Sequence, residues 1–81
     1  STTLQFEIPA SAESGVRVEL KIYNILGQLV TTLVDEMKLP GRYTVTWNGR
    51  HDNGMPAASG LYLFKIKAGE FQKVMKMVLL Q

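Results

Sequence analysis

The chain contains no cysteine. This absence excludes disulfide bonds, thiolate chemistry and cysteine-based zinc sites together. No apolar run approaches the roughly 20 residues that a membrane-spanning helix needs, so we expect no insertion into a membrane. An 81-residue chain has room for one small domain, and packing alone must stabilise that domain.

Ser1 opens the chain, and no basic segment followed by an apolar segment comes after it. Such a leader would mark a secreted protein, so secretion cannot be inferred this way. We expect residues 1–81 to be one domain that was excised or processed from a longer protein.

Strong charge of either sign is also lacking, since the formal net charge is +2. Lys65, Lys67, Lys73 and Lys76 crowd the last third of the chain, where Glu70 is the neighbouring carboxylate. Nucleic-acid-binding domains are normally more basic and carry aromatic residues among the basic ones, so we expect no nucleic-acid partner. The lysines are predicted to lie on outward strand faces and edges, where they discourage edge-to-edge pairing. The alternative is a basic stripe that faces a partner.

No catalytic motif is present. His51 is the sole histidine, and Asp52, Ser59 and Glu70 form no recognisable pattern with it. Neither a glycine-rich phosphate loop nor a nucleophile elbow occurs in the chain. The sequence therefore predicts a protein that is not an enzyme and that needs no cofactor.

The segment 48–54 is rich in oxygen-bearing and turn-forming residues. Asn48, Asp52 and Asn53 stand among Gly49 and Gly54, as they would in a calcium loop. The spacing differs from that of an EF-hand loop, and one carboxylate is a poor charge for a hard cation. We predict a rigid surface loop whose side-chain oxygens accept from backbone N–H groups, with calcium binding as the lesser alternative.

Apolar and polar residues alternate along most of the chain, which is typical of strands with one buried face. This pattern predicts strands over residues 4–8, 16–22, 29–34, 42–47, 61–68 and 72–80. Pro9 ends the first strand because proline cannot donate to a ladder, and Asn24 and Gly27 suit a tight turn. Residues 35–41 are predicted to form a polar connection closed by a Pro-Gly turn.

Three strands carry large side chains that are predicted to point inward. Trp47 has the largest apolar surface and is predicted to anchor the core, where its indole N–H needs one polar partner. The other predicted inward residues are Tyr43, Val45, Tyr62, Phe64, Ile66, Met75, Met77 and Leu79. Tyr23 is then the aromatic residue left free, so a carbohydrate-binding platform is a weaker alternative.

Six to seven short strands, with turn signals about every ten residues, predict an all-β fold. The predicted architecture is an antiparallel immunoglobulin-like (Ig-like) β-sandwich of about seven strands, of Greek-key type, in a single domain over residues 1–81. A small barrel is the alternative. Parallel strands are disfavoured because their crossovers need a dozen or more residues, and the connections here are shorter.

The order of several segments resembles that of a known family. These segments are Thr2-Thr3-x-Gln5-Phe6-x-Ile8-Pro9, Ile22-Tyr23-Asn24-Ile25-Leu26-Gly27-Gln28-Leu29-Val30, Leu39-Pro40-Gly41-x-Tyr43-x-Val45-x-Trp47-Asn48-Gly49, Ala58-Ser59-Gly60-Leu61-Tyr62 and Lys76-Met77-Val78-Leu79-Leu80. Together they resemble the C-terminal sorting domains of the type IX (Por) secretion system, to which the Ig-like domains of flagellar hook-capping proteins are related. The chain departs from the family in lacking an Asn-Pro-rich segment before Thr2 and in having Asn48 where Asp is common.

The resemblance implies a non-catalytic module at the C-terminus of a secreted or surface-attached bacterial protein. Such a module is read by the outer-membrane secretion and sortase machinery, and it adjoins the upstream domains of its parent protein. A flagellar hook-cap domain or a passive structural module is the alternative. Under the sorting hypothesis, we expect the partner to contact the last strand at Lys73, Lys76, Met77, Val78, Leu79 and Leu80.

Overall fold

The computed structural model describes residues 1–81, which form six β-strands. The strands are β1 (Thr2–Ile8), β2 (Val16–Asn24), β3 (Leu29–Lys38), β4 (Gly41–Trp47), β5 (Gly60–Ala68) and β6 (Phe71–Leu79). The all-β prediction is therefore confirmed, and the expected count of about seven strands is corrected to six. The structure contains no helix that could cross a membrane.

The strands form two antiparallel sheets. One sheet pairs β1 with β4, and the other has the strand order β3-β2-β5-β6. Pairing is partly non-sequential, because β1 joins β4 across the intervening β2–β3 hairpin, and β2 lies between β3 and β5. The two sheets have different widths, and this difference leaves part of the wider sheet uncovered.

Side chains from both sheets meet in a shared core. Trp47, on the narrow sheet, is only 1% exposed and lies edge-on to Tyr62 and Phe64 of the wide sheet, with ring centroids 5.1 and 5.8 Å away. Its indole N–H donates to the carbonyl of Arg50 at 2.9 Å. The predicted role of Trp47 as a core anchor is thus confirmed, together with its polar partner.

Strand β3 is longer than predicted. We expected it to end near residue 34, but the strand continues to Lys38. The polar residues of its second half pair with the start of β2, where Arg17 lies opposite Met37 and its guanidinium bonds the Asp35 carboxylate at 2.6 Å. This half of the strand is held by a neighbour that lies far away in the sequence, so its polar composition did not reveal it.

Candidate partner-binding surface

The loop between β4 and β5 is fixed by its own side chains. Asn48 Oδ1 accepts from the backbone N–H of Arg50, and Asn53 Oδ1 accepts from that of Met55. The hydroxyl of the buried Thr31 donates to the carboxylate of Asp52. The two asparagine contacts confirm the prediction that side-chain oxygens of this loop accept from its own backbone N–H groups. No group of three potential metal ligands occurs in the loop.

Gln81 is a contact residue that the sequence did not reveal. Its side-chain amide N–H₂ donates to the carbonyls of Gly49 and Ala57, each at 2.9 Å, and its backbone N–H donates to the Ser59 hydroxyl. Gln81 thereby ties the residues after β6 to both ends of the β4–β5 loop. A lone glutamine beyond the last strand shows no pattern from which this contact can be predicted.

The residues predicted to contact a partner lie on different faces of β6. Leu79 is buried, and Met77 is half-buried against the core. Val78 and Leu80 are exposed, at 64% and 83% of their surface. The structure therefore places Leu79 among core residues and leaves Val78 and Leu80 open to solvent.

The two lysines of β6 also point in opposite directions. Lys76 lies on the outer face of the wide sheet, opposite Leu63 of β5. Lys73 lies two residues before Met75, so it projects from the inner face of β6, which is an edge strand of the wide sheet. Lys73 stays exposed because the narrow sheet does not extend over this end of β6.

An apolar groove lies where the wide sheet is uncovered. We call it the β1–β6 groove. It has a volume of about 230 Å³, with β1 along one side, β6 along the other and β2 and β5 residues between them. Its lining residues are Leu4, Gln5, Phe6, Glu7, Ile8, Leu20, Ile66, Ala68, Phe71, Lys73 and Met75. Eight of these eleven residues are hydrophobic, so the groove is an apolar surface with few charges.

The outer face of β5 and β6 combines apolar and basic residues. Val78 lies directly opposite Leu61, and Val74 lies opposite Lys65. Lys65 in turn lies opposite Lys21 of β2, a like-charge neighbour that an isolated sheet would not favour. This face is the second exposed surface that a partner of mixed apolar and acidic character would fit.

The aromatic residues do not form an exposed platform. Trp47 and Tyr62 are buried, and Tyr43 is half-buried with its ring stacked on Phe6 at 5.4 Å. The hydroxyl of Tyr43 donates to the carbonyl of Leu39, and that of Tyr62 donates to Ala58, both at 2.6 Å. These side chains therefore serve the core and its connections.

Comparison with known families gives one match. The profile of the FlgD Ig-like domain matches residues 1–70. The chain belongs to this family. No curated protein and no solved structure matches the chain significantly. The match supports the resemblance to flagellar hook-capping proteins, and no comparison supports the resemblance to type IX sorting domains.

The FlgD Ig-like match ends just before the last strand begins. Residue 70 is the last one matched, and β6 starts at Phe71. Strands β1 to β5 therefore lie within the matched residues. Strand β6, which forms one side of the β1–β6 groove and carries the residues predicted to contact a partner, lies beyond them.

Proposed function

We propose that this chain is a non-catalytic Ig-like assembly module, of the kind found in flagellar hook-capping proteins. It acts by binding other polypeptides in a protein that works outside the cell or on its surface. The match of residues 1–70 to the FlgD Ig-like domain carries this proposal. The chain holds its partners with surfaces of the fold and performs no reaction on them.

The fold supports this proposal in two ways. First, the two antiparallel sheets with a shared core agree with an Ig-like sandwich, in which one sheet commonly has three strands and the other four. Second, exposed Val78 of β6 lies directly opposite exposed Leu61 of β5 on the outer face of the wide sheet. Adjoining apolar side chains on an exposed sheet face offer a surface that a protein partner can cover.

A domain exchange in a flagellated bacterium tests the proposal. Residues 1–81 replace the Ig-like domain of the host's hook-capping protein, and hook assembly is scored by electron microscopy and swimming. We expect hooks to form. The matched control carries Trp47→Ala, which removes the core anchor and should cost about 3–5 kcal/mol of folding free energy, so this chimera should form no hooks.

Two results would contradict the proposal. One is a chimera that is folded and exported but assembles no hooks. The other comes from fusing residues 1–81 to the end of a neutral reporter in a host with type IX machinery. Delivery of that reporter to the cell surface, blocked by Lys76→Glu, would favour the sorting hypothesis in place of hook assembly.

A further inference from the structure

Strand β1 has one free edge. It pairs with β4 along its whole length, from Thr2 opposite Trp47 to Ile8 opposite Gly41, and with no other strand. Backbone N–H and C=O groups on the other edge are therefore open to a new partner. Because consecutive residues 4–8 line the β1–β6 groove, this free edge faces the groove.

The bottom of the groove is apolar surface that the fold itself does not cover. Phe71 lies on the same face of β6 as the inward-facing residues, because side chains alternate along a strand, yet 59% of its surface is exposed. Met75, which follows it on the same face, is only half-buried. In a β-sandwich the inner faces of the two sheets cover each other, so these side chains lack a covering strand. The space beside β1 is where a third strand of the narrow sheet would lie.

The groove also carries one cation without a partner. Lys73 projects into it between Phe71 and Met75 and takes part in none of the ion pairs of the molecule. A desolvated ammonium needs a carboxylate or a set of acceptors when something covers it. The chemistry that fits the groove is therefore an extended backbone with apolar side chains and one carboxylate on its inward face.

We propose that the β1–β6 groove receives an extended segment of a partner polypeptide, which adds to the narrow sheet as a third strand beside β1. Its backbone bonds the free edge of β1, its inward apolar side chains cover Phe71 and Met75, and an inward carboxylate meets Lys73. The seven residues of β1 offer an edge of about 23 Å at roughly 3.3 Å per residue. This inference deepens the proposed function, on which it rests, by naming how the module holds a partner.

The geometry selects a single inserted strand over a second copy of the chain. Strand β6 is an edge of the wide sheet and forms the side of the groove opposite β1. Paired strands lie about 4.7–4.9 Å apart. Two copies that approached through their β1 edges would bring their wide sheets into collision before the two β1 strands came this close. A lone extended segment has no such second sheet.

Strand β3, one edge of the wide sheet, offers less to an added strand than β1 does. Register shifts interrupt the pairing of β2 with β3 at Leu20/Lys21 and at Ile22/Tyr23. Such bulges twist an edge strand and discourage addition to it. Strand β1 shows no register shift against β4, so its edge remains regular.

Synthetic nine-residue peptides test the proposal on the full chain. The probe, TVTVTDTVT, places three valines and one aspartate on one face of an extended strand. Its binding is measured by fluorescence anisotropy of a labelled peptide. We expect saturable binding, and a peptide with proline at two alternate positions should not bind because it cannot donate to the β1 edge.

Two charge reversals on β6 form a matched pair. Lys73→Glu places a carboxylate in the groove, whereas Lys76→Glu makes the same charge change on the opposite face of the same strand. We expect Lys73→Glu to weaken binding of the aspartate peptide about tenfold and Lys76→Glu to change it less than about twofold. A peptide with lysine in place of the aspartate should prefer the Lys73→Glu variant.

Hydrogen exchange then identifies the edge that is used. The proposal predicts that adding the aspartate peptide newly protects those β1 amides that do not bond β4. Protection confined to β6 amides, equal effects of the two reversals, or no binding by any of the peptides at millimolar concentration would overturn it. So would sedimentation that shows a dimer of the chain with β1 already protected.

These outcomes are independent of the domain exchange that tests the proposed function. If hooks form with both the Lys73→Glu and the Lys76→Glu chimeras, the proposed binding in the β1–β6 groove is contradicted, whereas the proposed assembly function is supported. If neither chimera nor the unaltered module supports hooks, but the peptide binds in the groove, then the assembly function fails and the mode of binding stands.

Discussion

Two glycines with the same backbone conformation have different surroundings. Gly15 and Gly27 have φ values of +84° and +81°, in the left-handed region that L side chains rarely adopt. A Cβ at Gly15 would lie 2.8 Å from the carbonyl oxygen of Lys38, whereas a Cβ at Gly27 would meet no atom within 4 Å. A substitution at Gly27 would therefore add backbone strain alone, whereas one at Gly15 would add backbone strain and a steric clash.

We expect Gly27→Ala to cost about 1–2 kcal/mol of folding free energy, from strain alone. Gly15→Ala should cost roughly a further 1–3 kcal/mol, because Lys38 O belongs to the backbone of β3 and cannot move without disturbing its pairing with β2. Urea denaturation of both variants measures the difference. Equal costs would show that the β1–β2 connection relaxes away from β3.

A second prediction at the scale of single residues concerns Gln81. Gln81→Ala removes two hydrogen bonds to part-buried carbonyls and should cost about 1–2 kcal/mol. Gln81→Glu should cost more, because it places carboxylate oxygens against the carbonyls of Gly49 and Ala57. Urea denaturation measures both changes. Gln5→Ala is the control, since Gln5 is exposed on the outer face of β1 and makes no side-chain hydrogen bond. A Gln81→Ala variant as stable as this control would contradict the prediction.

At the scale of elements, β6 contributes to stability through one face. Leu79 is buried and Met75 and Met77 are half-buried against the core, whereas Val74 and Val78 on the other face are exposed. Burying a side chain of this size contributes roughly 1.5–3 kcal/mol, and small domains have a margin of only about 5–15 kcal/mol. The strand also supplies the pairing partners of β5 from Gly60 to Ala68.

Deleting residues 75–81 should therefore unfold the domain. The deletion removes three core-facing side chains, leaves backbone groups of β5 unpaired and breaks the Gln81 contacts with the β4–β5 loop. Circular dichroism and thermal melting measure the outcome. The control is the double variant Val74→Thr, Val78→Thr, which alters exposed positions and should change stability by less than about 0.5 kcal/mol at each site. A truncated chain that melts cooperatively near the parent temperature would contradict the prediction.

At the scale of the whole molecule, the sheets are built from strands that are distant in sequence. Strand β1 pairs with β4 across the complete β2–β3 hairpin, and β2 pairs with β5 across β3, β4 and a long loop. Closing such loops before any pairing is gained lowers the rate of folding. We therefore expect the hydrophobic core to form late as well, because Trp47 and Phe64 come from different sheets.

Folding is therefore expected to take milliseconds to seconds, in the range of β-sandwich domains. Trp47 fluorescence in a stopped-flow refolding experiment reports this directly, because the indole passes from solvent into the core. Leu20→Ala, a fully buried position on β2, serves as a comparison that should lower stability by about 2–5 kcal/mol. Relaxation in microseconds would show that local structure, and not the distant pairing, limits the rate.

Most of the local features could be predicted from the pattern of residues alone. Alternation of apolar and polar residues identified the inner faces of β2, β4 and β5 and the burial of Trp47. Turn residues identified the end of β1 at Ile8 and the self-capped loop that contains Asn48 and Asn53. These features depend on neighbours within a few residues, and a period of two assigns a face as soon as the strand is recognised.

Which inner faces are covered depends on how the two sheets pack together, and this could not be predicted from the residue pattern. The pattern of β3 did not show that its polar half pairs with β2, and that of β6 did not show that Lys73 stays exposed on the inner face that it shares with Met75. Gln81 reaches the β4–β5 loop only because the folded chain brings them together. Coverage depends on how many strands each sheet contains, and strand pairing joins residues tens of positions apart. The β1–β6 groove is therefore a property of two sheets of unequal width, which no local pattern encodes.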